Sequence, residues 1–311
     1  MQALAQVVLQ GRLPAALITA AVFLVSVFLP LLGGILVLVA AVPAAVIGWH
    51  MGGRQVAEVG LLAALVIGLA TQQLVAPALW LAALWAPVAV AALILRSGPY
   101  FPWLALGSAG LALVGLGGWI VSLGGDPGSV VQSWVAEVLR GWIQSQELPQ
   151  EEAQRAIQDL EAQVVPSLAQ FLPGIIASGV VVAWWVNLIG GLRLAAAAGP
   201  MPDLAPVLRA FRLPDTAVWV TIALGLVAWL GAANAGGYWA ANALVVVALL
   251  FMAQGLAVIH SAHLAFGIGG GWLVVFYILL ALFVQLMLAV ALLGLADIWA
   301  DFRNKLKTGE G

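Results

Sequence analysis

The stretch DPGSVVQSWVAEVLRGWIQSQELPQEEAQRAIQDLEAQVVPS, residues 126–167, is the only long polar segment in a chain otherwise built from apolar runs. Its first part places Val130, Val131, Trp134, Val135, Val138, Leu139, Trp142 and Ile143 three and four apart, which predicts an amphipathic helix with one apolar face. Gln132, Ser133, Glu137, Arg140 and Gln144 fall on the other face. A second helix is expected to open at Pro149, with Glu151 and Glu152 in the first turn where they suit the helix dipole. Its stripe of Ala153, Ala156, Ile157, Leu160 and Val164 is narrower, so this helix is expected to be the wetter one. The segment sets seven carboxylates against two arginines, a formal charge of −5. Basic short loops are retained in the cytoplasm, so this acidic insert is expected outside it.

The rest of the chain defines the class. Of 311 residues 64% are hydrophobic and only 8% charged, with a mean hydropathy of +1.11, whereas soluble domains carry about a quarter charged residues. Apolar runs of about 17 to 28 residues fit helical spans and not the short alternating strands of a barrel. The expected fold is therefore all-α, a polytopic transmembrane helical bundle whose first partner is the lipid bilayer. A net charge of −2 offers no basic surface for nucleic acid. With no cysteine there is no disulfide, no thiolate nucleophile and no iron–sulfur cluster, and no cofactor is expected.

Spans are expected near 13–29, 31–49, 55–75, 78–95 and 102–124 before the insert. Pro30 and Gly33–Gly34 mark the first turn, Pro43 kinks the second span and Pro87 interrupts the fourth. Arg12, Arg54 and Arg96 fall on one side and the insert on the other, which places the N-terminus in the cytoplasm. Beyond the insert, spans are expected near 171–199, 216–233, 238–259 and 271–296, with Arg193, Arg209 and Arg212 on the basic side. Nine crossings would carry Arg303, Lys305 and Lys307 outside, against the charge rule. Eight would require a late segment, best placed at 256–270, to be re-entrant or broken. The regions are thus 1–125, the insert 126–167, and 168–311. Trp49, Trp103, Trp119, Trp239, Trp272 and Trp299 stand near span ends, where an indole suits the headgroup level.

Few residues carry chemistry. His260 and His263 share a helical face, but two imidazoles fall short of a metal site, and no metal is assigned. Asp297 and Asp301, followed by Arg303 and Lys305, read either as a conformational or gating cluster or as an interfacial helix end with an Asp301 to Lys305 ion pair. Arg54 and Glu58 have the same spacing. The amides deepest in apolar runs are Gln72, Gln73, Asn187, Asn242, Gln254 and Gln285, with Trp184 beside Asn187. Of these, Gln72, Gln73, Trp184, Asn187 and Gln254 are the candidates for binding a small solute. The alternative is interhelical hydrogen bonding. No catalytic or nucleotide-binding motif emerges, and an enzyme is not expected. The insert reads as a lid or partner surface, or as a solvated linker.

The four N-terminal spans ending in Ala91-Ala92-Leu93-Ile94-Leu95-Arg96, the Phe211-Arg212-Leu213-Pro214 loop, the run from Gln254 to His260, and the tail from Gly294 to Arg303 together resemble the YybS-like bacterial multispanning proteins, a domain of unknown function. The resemblance implies a multi-pass protein of the bacterial inner membrane and supplies no activity. That family is distantly similar in its first spans to the substrate-binding subunits of energy-coupling-factor transporters. Those subunits dock an energising module through an Ala-x-x-x-Ala surface, to which Ala16 and Ala20 correspond here. The same spacing also serves ordinary helix packing. The expected function is transport-related, with a small solute bound between helices and an energising partner. The alternative is a membrane scaffold or assembly factor acting through the acidic insert.

Overall fold

The computed structural model describes residues 2–29, 36, 39–98, 100–146, 148–199, 203–232 and 234–308. Pro30, the Gly33–Gly34 turn and Glu147 lie outside them, as does the side chain of Lys307. The first helices are α1 (Gln2–Leu9), α2 (Arg12–Phe28), α3 (Val42–His50), α4 (Gly53–Thr71), α5 (Val75–Ser97) and α6 (Phe101–Ser122). The insert forms α7 (Pro127–Gln144) and α8 (Gln150–Gln163). There follow α9 (Val165–Ala196), α10 (Leu204–Arg209), α11 (Thr216–Leu230), α12 (Ala235–Ala265), α13 (Gly270–Leu282), α14 (Val284–Ala300) and α15 (Phe302–Thr308). The protein is all-helical, with no strand among the described residues.

Among the described residues, five helices, α4, α5, α6, α9 and α12, are long and apolar enough to cross a membrane. Helices α13 and α14 pass that test only as a pair, bent by 112° at Phe283, so the candidate spans number five or six. The break expected within 256–270 lies instead at 283, and α12 runs unbroken to Ala265. The shorter apolar helices α2 and α11 hold 17 and 15 residues.

The chain forms two compact units, residues 1–104 with 180–207, and residues 105–179 with 208–311. In the first, α2 packs on α4, and α3 packs on α5. Helix α3 is the centre of this unit, with Ala44, Ala45, Val46 and Ile47 fully covered. Pro43 starts this helix and does not kink one, because it occupies the first turn, where a missing N–H breaks no bond. Glu58 on α4 meets Arg54 at 3.0 Å and Arg12 of α2 at 2.7 Å, exposed ion pairs worth about 1 kcal/mol or less each.

In the second unit, α12 is the element around which α11, α14 and the start of α7 gather. Helices α12 and α14 cross at Gly255 and Gly294, where a β-carbon on either residue would run into the carbonyl of Val290 or Phe251. Small residues allow this approach where lipid supplies no hydrophobic drive for association.

Two prolines inside long helices show how the bundle tolerates lost backbone donors. Pro87 follows a π-helical turn at Leu81–Trp85 and leaves the Ala83 carbonyl without its helical partner. The Trp184 indole N–H donates to that oxygen at 2.5 Å. Pro173, inside α9, likewise frees the Ala169 carbonyl, and the Tyr238 hydroxyl donates to it at 3.0 Å. Asn242 then bridges the next broken bond, its Oδ1 accepting from Gly174 N at 2.7 Å while its Nδ2 donates to the Gln170 carbonyl at 3.0 Å.

Candidate functional site

The polar cluster of the second unit is built where α14 ends. Asp301 adopts a left-handed φ of 46° that closes the helix, and its N–H donates to the Asp297 carbonyl at 3.1 Å. This turn folds α15 back so that Arg303 faces Asp297. Arg303 donates from Nη2 to Asp297 Oδ2 at 2.7 Å and from Nη1 to the carbonyls of Arg209 and Phe211 at 2.9 and 2.8 Å. Gln254 joins from α12, its Nε2 donating to Asp297 Oδ2 at 3.2 Å and its Oε1 accepting from Leu213 N at 2.9 Å. Asp297 and Gln254 are fully covered, and Arg303 is 8% exposed. Asp297 Oδ1 and Arg303 Nε have no hydrogen-bond partner among the described residues.

At the rim, Arg212 donates to the Ile298 carbonyl at 2.7 Å and stands 3.6 Å from Asp301 and 3.8 Å from Asp215. The cluster therefore ties the 209–213 loop to α12, α14 and α15. Asp297 and Arg303 form a buried pair and not a purely interfacial helix end. The network also includes Arg212, a residue the sequence marks only as a loop charge.

The candidate solute-binding amides are dispersed. Gln72 and Gln73 are exposed at the end of α4, where Gln72 takes a left-handed φ of 52°. Asn187 is fully covered, accepting from Ala41 N at 2.7 Å at the start of α3 and donating to the Ala183 carbonyl at 2.8 Å. Trp184 and Asn187 thus each hold a neighbouring backbone within the first unit, while Gln254 does the same in the second. Gln285 is exposed. Ala16 and Ala20 are buried, on the helix that packs against α4.

His260 Nδ1 stands 2.9 Å from the Leu256 carbonyl, and its Nε2 lies 3.4 Å from the Tyr277 hydroxyl. Among the described residues, no group of three or more His, Asp or Glu is placed to hold a metal ion.

The insert helices form as their spacing predicts, but the apolar face of α7 divides. Val131, Val135, Ala136 and Ile143 are buried, whereas Trp134, Val138 and Trp142 are uncovered. Asp126 caps this helix by accepting from Ser129 N at 3.0 Å. Arg140 pairs with Glu161 of α8, and that hydrogen bond holds the guanidinium pKa above its ordinary value. Helix α8 buries no residue fully.

A family described as a predicted membrane protein (DUF2232) matches residues 17–298, nearly the whole chain. The chain belongs to this family. No curated protein and no solved structure matches it. Within this DUF2232 protein, the family match takes in Gln254, Asp297 and the 209–213 loop, and it stops before Arg303.

Proposed function

We propose that this DUF2232 protein is a transport-related, multi-pass protein of the bacterial cytoplasmic membrane that binds a small solute between its helices. The observation that carries the reading is the covered Asp297–Arg303 pair, which anchors the end of α14 opposite its bend from α13 at Phe283. A buried ion pair that anchors one end of a helix bent at the other can serve as a gate, since its bonds can be exchanged when the helix moves. Asp297, Asp301 and Arg303 are assigned that gating role. Gln72, Gln73, Trp184 and Asn187 in the first unit and, separately, Gln254 in the second are the side chains proposed to meet solute. Asn187 and Gln254 would do so by exchanging the backbone bonds they now make. No catalytic role is assigned. An energising partner at Ala16 and Ala20 would require α2 to part from α4.

The proposed topology has eight crossings, counting α2, α4, α5, α6, α9, α11, α12 and the span expected at 31–49, part of which lies outside the described residues, with the N-terminus in the cytoplasm and the insert outside. Several contacts support a re-entrant α13–α14. Helix α12 follows α11 after a short turn and returns alongside it, so the start of α11 and the end of α12 share one side. Arg303 is bonded to the loop just before α11, which keeps the tail on that same side. The basic tail then obeys the charge rule.

Native mass spectrometry of the full chain, released directly from membranes, is expected to find a small bound solute that is lost in the Trp184→Ala and Asn187→Ala variants. Protein without any such adduct would overturn the solute-binding reading. The uncovered surface of α8 favours a second reading, a scaffold that captures a protein through the acidic insert. Crosslinking from Gln154→Cys would then trap one defined partner, and no product would remove this alternative.

A further inference from the structure

Helix α7 is held in place by what it packs against. Val131, Val135 and Ala136 sit on Ile120 in the last turn of α6 and on Val165 and Ala169 in the first turns of α9. Tyr238 and Trp239, in the first turn of α12, complete that cluster. All three partners are candidate spans, and α7 packs against one end of each. Three candidate spans thus begin or end in one cluster, which puts α7 at one end of this group of apolar helices. The link from α6 is short, with Gly124 and Gly125 at left-handed φ of 76° and 87° turning the chain at once into the Asp126 cap.

The edge of α7 that this packing leaves open is apolar. Trp134, Val138 and Trp142 stand four residues apart on one line and are 43%, 53% and 59% exposed. The same uncovered apolar character continues onto Trp119, Val121 and Leu123 at the end of α6. The charged residues lie on a different flank, where Glu137 and Ser133 are exposed and Arg140 pairs with Glu161. Indoles favour the headgroup level, where the ring is buried and the N–H stays hydrated.

We propose that α7 is an in-plane interfacial helix whose Trp134–Val138–Trp142 edge inserts at the headgroup–acyl boundary of the lipid. Its charge defines the lipid class. The insert carries a formal charge of −5 and no lysine, and both arginines pair with glutamates. Helices that bind anionic lipid present unpaired Lys and Arg instead. The partner is therefore a zwitterionic or uncharged headgroup.

Because the chain has no native thiol, Val138→Cys and Ser133→Cys each offer one labelling site in the full-length protein. A nitroxide at each is compared in phosphatidylcholine vesicles by its collisions with oxygen, which concentrates in lipid, and with a water-soluble nickel chelate. The expected result is an oxygen-to-nickel ratio several-fold higher at position 138 than at 133, falling when anionic phosphatidylglycerol is added. Equal ratios would mean that the edge faces water and would overturn the proposal. A label at 138 shielded from both reagents would mean that a protein covers it, with the same consequence. A ratio that rises with anionic lipid would overturn the headgroup assignment. Trp142→Cys repeats the measurement one turn further along should Val138→Cys fail to fold. None of these outcomes depends on whether the protein binds a solute.

Discussion

Pro87 and Pro173 each withhold an N–H from a long apolar helix, and the freed carbonyls recruit donors from neighbouring helices. A carbonyl left unbonded in such surroundings costs about 1–3 kcal/mol. Trp184→Phe is therefore expected to lower stability by about that amount, measured by thermal unfolding in detergent. Pro87→Ala restores a backbone donor, so the double variant should lose less than the sum of the singles. Additive losses would mean that the indole bond at Ala83 carries little. Asp297 and Arg303 pose a sharper case, since removing one partner of a buried pair costs about 3–5 kcal/mol while removing both can be nearly neutral. Arg303→Met should thus destabilise strongly, and Asp297→Leu with Arg303→Met should recover much of the loss. A double variant as unstable as the single would show that the guanidinium's bonds to the Arg209 and Phe211 carbonyls matter more than its charge pairing.

At the level of elements, the crossing of α12 and α14 and the bend between α13 and α14 set the shape of the second unit. At Gly294 the obstruction to a side chain is backbone, which cannot swing away. Gly294→Ala is expected to cost about 1–3 kcal/mol, as overpacked interiors do. Unchanged melting would mean that the two helices lie further apart than described. The bend also determines where the tail emerges. Single cysteines at Asp203 and Lys305 should react with a membrane-impermeant maleimide from the same side of sealed vesicles, and opposite sides would exclude a re-entrant α13–α14. Periodicity in the sequence locates most of these helices within a few residues, because apolar runs of spanning length leave few other solutions. It misplaces the late break. A Gly-rich and His-containing stretch looks like the weak point, yet α12 continues through His263, and the chain turns at Phe283, which no local residue preference marks.

For the whole molecule, composition by itself determined that the chain belongs in a membrane and folds as helices, since so little charge and so many long apolar runs leave no other way to satisfy the backbone. The acidic insert was legible as two amphipathic helices for the same local reason, as was the stripe of α8 that stays half-covered. Tertiary structure alone decided which polar residues meet. Asp297 and Arg303 are six apart in sequence and were visible as a cluster, but their burial depends on Gln254 and the 209–213 loop arriving from other elements. The partners of Pro87 and Pro173 lie about 100 and 65 residues away, beyond any pattern of local spacing. The division of the α7 face was equally hidden, because a helical period says which residues share a side, while only the packed neighbours determine how much of that side is left for lipid.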